Sequence, residues 1–198
     1  MDAGSRQPAG FMFKLGQSFL REYYSAILRA EGTVILCAEK EGKIIGFISG
    51  TLRAEERMPS LKRRRFRLAF AALPAFLHHP SLLFQAHMRQ NPGSAENGSG
   101  FIVQAGPHQE FWAWSAPGVS GALHLQLKWL AIMRTLGVSE VLCEVDRDNE
   151  LSEKSHMACG AKRVHEMITP DGRERHILRY ELAAAPSERN AAADYIRV

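Results

Sequence analysis

"VDRDNELSEKSHMACGAKRV", residues 145–164, holds the pattern from which the fold is read. Val145 closes an apolar run, "VSEVLCEV", of strand type, and Asn149 then stands where a helix N-cap belongs. Glu150 and Glu153 sit in the first turn, where carboxylates meet the positive end of the helix dipole. Gly160 ends this helix, and "AKRVHEMI" reads as the next strand. Within the helix Asn149, Ser152 and His156 fall at i, i+3 and i+7, so they share one face.

Upstream of this stretch, "SGALHLQLKWLAIMRTLG" at 120–137 has the apolar spacing of a long helix, with Gly137 as its stop. Downstream, "AKRVHEMI", the turn "TPDG" and "RERHILRYEL" predict a hairpin. Near the start, Leu15, Phe19, Tyr23, Ala26 and Ile27 predict an amphipathic helix ended by Gly32. "TVILCAE" at 33–39 and "KIIGFISGTL" at 43–52 predict an antiparallel hairpin. From 58 to 90 the period is helical again, and Pro59, Pro74 and Pro80 divide the stretch into two or three short helices. "QNPGSAENGSG" at 90–100 is loop by composition. "FIVQAG" and "QEFWAWS" come next, either as a hairpin or as one strand broken at Gly106 and Pro107. The order predicts an α/β (α+β) fold with mostly antiparallel strand neighbours.

Whole-chain properties set the bounds. A chain of 198 residues with 45% hydrophobic and 23% charged residues has the composition of one globular domain. We expect a flexible segment over 1–14, a domain over 15–183 and a loose Ala-rich tail over 184–198. Three cysteines without a C-x-x-C pair describe neither a disulfide framework nor a zinc site, which points to reduced thiols and a cytoplasmic protein. His78, His79 and His87 lack neighbouring ligands at metal spacing, so no metal is expected. The start has no apolar core of a secretory signal, and no run reaches the ~20 apolar residues a spanning helix needs.

From Leu15 to Leu182 the order of elements resembles the GNAT acetyltransferase superfamily. The likeness is strongest at "LGVSEVLCEVDRDNELSEKSHMACGAKRV", and "AEKEGKIIGFISGTL" looks like the family's central hairpin. The helical insert at 58–90 is similar to that of a bacterial subgroup. This resemblance implies a mixed sheet flanked by helices, whose two central parallel strands splay to admit the pantetheine arm of acetyl-CoA. It implies direct attack of an amine, from a small molecule or a sugar, on the thioester.

The resemblance also implies roles for particular residues. Aligned on the family's phosphate loop, "PGVSGA" places Gly118, Val119, Ser120, Gly121 and Ala122 around the coenzyme phosphates at a helix start. Pro117 stands where the family has Arg or Gln, and Ser120 where it has Gly, so the loop is eroded. Asn149 and Ser152 would hold the coenzyme arm, with helix capping as the other reading of Asn149. His156 stands at the position of the family's proton-donating Tyr. An imidazolium, with an ordinary pKa of ~6.5, can protonate a thiolate near ~8.5, and a place in the last helical turn favours the cation. Activity would then fall toward alkaline pH; otherwise His156 is a surface or packing residue. Glu110, with His108 behind it, is the candidate general base, or a solvated strand-end residue. Trp112 and Trp114 pack in the core or line the acceptor pocket. A homodimer fits this reading.

The insert "RMPSLKRRRFRLAFAALPAFLHHPSLLF" combines a cationic start with apolar residues. It reads as a surface for anionic lipid, as a dock for an acyl carrier protein, or as a lid packed on the domain with its arginines in solvent. No nucleic-acid-reading pattern is present. A non-catalytic GNAT-like module acting through this insert, peripheral to a membrane or bound to a partner, is the alternative to an enzyme.

Overall fold

The computed structural model describes residues 11–90, 105–169 and 172–182. Among these, six strands form one sheet in the order β1 (Thr33–Lys40), β2 (Lys43–Thr51), β3 (His108–Trp114), β4 (Glu140–Asp146), β6 (Glu174–Glu181), β5 (Lys162–Ile168). All neighbours are antiparallel except β3 and β4, which are parallel. The sheet is therefore the mixed, mostly antiparallel one the sequence predicts. The β1–β2 loop has two residues, Glu41 and Gly42, both with positive φ. A two-residue loop of that hand matches the right-handed twist of the strands it joins.

Helices cover both faces. The helix α2 (Gly16–Ile27) sets Tyr23 edge-on against Phe111 and Tyr24 against Phe47. On the other face α6 (Ser120–Thr135) lays Leu125, Trp129, Leu130 and Met133 over Ile48, Val141, Cys143, Leu178 and Tyr180. Phe47 and Ile48 are consecutive, and successive strand residues point to opposite faces, which is how one strand serves both layers. The helix α7 (Glu150–Ala158) lies on the α6 face, its His156 against Cys143 and Tyr180.

The insert folds as α3 (Arg57–Arg63), α4 (Arg65–His78) and α5 (Ser81–Gln90). Pro74 does not divide it: α4 runs through this residue. Pro74 is exposed and so is Phe70, whose carbonyl loses its helical partner, so water can serve that group instead. A small cluster of Leu15, Ala72 and Leu82, with Met12, Phe19 and Phe76 around it, fixes the insert to α2 and to α1 (Phe11–Lys14). Residues 11–14 of the segment expected to be flexible are thus helical. The strand-like "FIVQ", the tail 184–198 and Pro170–Asp171 of the last turn lie outside the described residues.

The parallel pair is short. β3 meets β4 only at His108–Leu142 and Gln109–Cys143. Along the β2–β3 ladder, Phe111 pairs with Ser49 and Gln109 with Gly50, which leaves Glu110 as an extra residue in β3. An extra residue of this kind is a β-bulge, and it bends the strand that carries it. Pairing with β4 ends at the residue before the bulge, and beyond Gln109 the two central strands part.

Gly50 is required by this packing. A Cβ there would lie 2.4 Å from the Trp129 ring and 2.5 Å from the His108 carbonyl oxygen. Replacing Gly50 by Ala is expected to cost about 1–3 kcal/mol. Urea unfolding of the two proteins measures it, and an unchanged midpoint would contradict the packing described.

Candidate active site where the central strands part

Glu110 sits at the bulge with its side chain almost wholly buried and one carboxylate oxygen 3.3 Å from an Arg57 nitrogen. Its other oxygen is buried and has no partner among the described residues. Burial raises the pKa of Glu110, and the Arg57 guanidinium pulls it partly back. Beside it on β3, His108 is buried with neither ring nitrogen hydrogen-bonded, and burial lowers its pKa to about 4. Ser49, on β2, buries an unpartnered hydroxyl as well. A buried carboxylate with a raised pKa and a free oxygen has the properties of a proton acceptor waiting for a donor.

A connected polar chain lies on the opposite face. The side-chain amides of Gln109 and Gln126 bond each other reciprocally at 3.0 and 2.7 Å. Tyr180 Oη stands 2.7 Å from His156 Nδ1, and that nitrogen is 3.6 Å from Cys143 Sγ. The Trp112 ring meets the imidazole edge-on, with centroids 5.0 Å apart. His156 is 4% exposed. Burial lowers its pKa to about 4, opposite to the cation that its helical position predicts. Desolvation in the interior outweighs the helix-end dipole, whose effect is smaller than the cost of burying a lone imidazolium. At neutral pH His156 is an uncharged imidazole, and the expected decline of activity toward alkaline pH has no imidazolium to produce it.

The predicted phosphate loop is where α6 begins. Val119 is its N-cap, no side chain caps it, and Gly118 turns the chain at φ +81°. Pro117, Gly118, Val119 and Ser120 are exposed. The first hydrogen bond of the helix runs from Leu123 N–H to the Val119 carbonyl. The N–H groups of Ser120, Gly121 and Ala122 therefore have no helical acceptor, and no acidic residue lies in the first turn. These donors suit an anion such as a pyrophosphate. Gly121 answers to a different need: a Cβ there would fall 2.3 Å from the Trp114 ring, which also presses on Gly46 of β2. The indole nitrogens of Trp112 and Trp114 are buried without partners.

The predicted residues thus lie on both faces of the sheet and at the start of α6, and no hollow among the described residues brings them together. Glu110 and His108 lie toward α2 or beside β4, His156 lies on the α6 face, and Gly118 to Ala122 form the helix start. Asn149 caps α7, its side-chain oxygen accepting from Ser152 N–H at 3.3 Å, so both residues are engaged with each other. Sequence reading missed Arg57, Tyr180 and the Gln109–Gln126 pair. Gln109 and Tyr180 occupy inward positions of strands, a periodicity that marks burial without identifying partners. Two hollows, of about 380 Å³ beside Arg163 and His176 and about 370 Å³ beside Pro107 and Val138, are lined by none of the predicted site residues.

No family model matches the sequence, and no curated protein matches it. Solved structures do resemble the chain. One is an acetyltransferase at 18% identity and a TM-score of 0.45, covering 74% of this chain and 69% of that one. The ribosomal-protein-alanine N-acetyltransferase from Brucella melitensis is 13% identical with a TM-score of 0.47, over 82% and 76% of the two chains. An N-acetyltransferase from Staphylococcus aureus Mu50 is 14% identical with a TM-score of 0.47, over 81% and 74%.

Two histidines held neutral by burial make stability depend on pH. Their folded pKa values of about 4 lie below the unfolded value near ~6.5, so the unfolded chain binds more protons between those limits. The stability they contribute is complete above pH ~6.5 and is lost as pH falls toward 4. Each contributes on the order of 2 kcal/mol of this loss by pH 5. Denaturation at pH 7 and pH 5 reads it, and His156→Gln should flatten the difference; equal slopes in both proteins would refute the burial effect.

Proposed function

We propose that the chain is an acyl-CoA-dependent N-acyltransferase of GNAT type, acting on the amine of a small molecule or sugar by direct attack. The observation that carries this reading is the bulge at Glu110, which parts the parallel strands and buries a carboxylate with an unpartnered oxygen beside the gap. Beyond Gln109 the facing edges of β3 and β4 make no ladder bonds to each other. Backbone donors and acceptors there suit an extended, amide-bearing arm such as pantetheine. Acetyl-CoA, the expected donor, brings a thioester and a thiolate leaving group, and the free N–H groups of Ser120, Gly121 and Ala122 would hold its phosphates.

In the reaction the acceptor nitrogen bonds to the acyl carbon, the carbon–sulfur bond breaks, and the proton shed by nitrogen passes to Glu110. Burial raises the proton affinity of Glu110, and Arg57 pulls it partly back. His156 serves here as a neutral hydrogen-bond donor to the departing sulfur. This role requires the tautomer in which Nδ1 accepts from the Tyr180 hydroxyl, 2.7 Å away, and the imidazole proton is on Nε2. Asn149 keeps α7 in register beneath that sulfur through its cap.

A second reading has an observation in its favour. Trp112 and Trp114 pack against the core on the α6 side, and "PGVSGA" lacks the family's Arg or Gln, as in a non-catalytic module that retains the fold. Titration calorimetry with acetyl-CoA separates the two, since the non-catalytic reading expects no heat at millimolar ligand.

For the enzyme, acyl transfer should rise with pH as Glu110 deprotonates, with its limb above the ordinary carboxylate range and no descending limb near 6.5. Glu110→Gln is expected to lower kcat by about 10²–10⁴-fold and to remove that limb. Steady-state rates over pH 5–9 with a panel of amines provide the measurement. A Glu110→Gln protein with the parent's rate and profile would eliminate the carboxylate as base.

A further inference from the structure

The insert presents an apolar stripe that nothing among the described residues covers. Phe66, Phe70, Leu73 and Leu77 succeed one another at i, i+4, i+7 and i+11, so they line one side of α4 for roughly 16 Å. Phe66 is 75% exposed, Phe70 79% and Leu77 73%. On α5, which packs against α4, Leu83 and Phe84 are exposed too. Meanwhile the inner side of α4 is already used, with Ala72 and Phe76 packed beside Leu15 and Leu82. This surface helix is thus apolar on two sides, where a helix lying on a domain in water needs one.

Charge around the stripe is one-sided. The sequence has no Asp or Glu between Arg57 and Gln90. Its basic residues divide by direction. Arg57 and Arg64 turn inward, to Glu110 and to Glu22 with Ser25. Lys62, Arg63, Arg65 and Arg67 are exposed, and none is in an ion pair among the described residues. Arg67 precedes Phe70 by three residues, and the Arg65 guanidinium lies 4.8 Å from the centre of the Phe66 ring. Cations at one end of an exposed aromatic stripe, without a compensating acid, complement a surface that is negative outside and apolar beneath.

We infer that α4 and α5 seat the protein on an anionic lipid bilayer, with Phe66, Phe70 and Leu77 entering the acyl region and Lys62, Arg63, Arg65 and Arg67 meeting the headgroups. No described helix is long and apolar enough to cross a membrane, so α4 and α5 would lie in the interface. An acidic carrier protein or a second copy of the chain would bury the same side chains differently, through a folded surface that keeps its shape in salt-free and vesicle-free solution.

Co-sedimentation of the full chain with phosphatidylcholine vesicles, with and without phosphatidylglycerol, tests the inference. Binding is expected to the anionic vesicles, at least about tenfold weaker to the neutral ones, and weakened by salt. Each of Arg63→Gln and Arg67→Gln should weaken it by about fivefold. Phe70→Ser should weaken it by about tenfold or more, with circular dichroism unchanged because the residue contacts water in the free protein. Wild type that ignores both vesicles overturns the inference, whether it sediments as a monomer or as a dimer that Phe70→Ser dissociates. Equal binding by wild type and Phe70→Ser overturns it as well. The readout is independent of acyl transfer, so its outcome does not depend on the proposed activity.

Discussion

The structure depends on one inserted backbone residue. Glu110 has no counterpart on β2, and the strand accommodates it by bending away from β4 just where parallel pairing would continue. Parallel strands normally run side by side because each unmade backbone hydrogen bond is costly in a dry interior. Here those bonds are withheld along two facing edges, and the protein compensates with side chains. Gln109 and Gln126 close the end of the paired segment, while Trp112, His156 and Tyr180 pack on one side of the gap beyond it.

The surroundings of Glu110 and of His156 differ electrostatically. Toward α2, a carboxylate is buried with one cation beside it, so its proton affinity is raised and adjustable. Toward α6, every titratable group of the polar chain is pushed to its neutral form: the imidazole downward, the phenol of Tyr180 and the thiol of Cys143 upward. The α6 face still holds charge further along, where Glu153 of α7 is buried against Arg163 and His176 and its pKa is lowered.

The elements whose apolar spacing is strong were legible in the sequence: α2, the β1–β2 hairpin, α6 and the final hairpin all lie where periodicity and glycine stops predict. Asn149 was legible as a cap because its chemistry is local. The charge state of His156 was not, since it depends on Cys143, Trp112 and Tyr180, which reach it only after the chain has folded. Nor was the bulge, because a single extra residue leaves no mark in "HQEFWAW" until the register with β2 is known. Pro74 misled for a related reason: a proline ends a helix when its lost bond matters, and on an exposed turn solvent replaces it.

The guanidinium that moderates Glu110 belongs to the first residue of α3, so it comes from the insert rather than from the sheet. The segment that carries the exposed aromatics and the residue that tunes the buried carboxylate are joined by one short helix. A displacement of that helix would carry the cation away from Glu110 and remove the one interaction that lowers the proton affinity its burial raises.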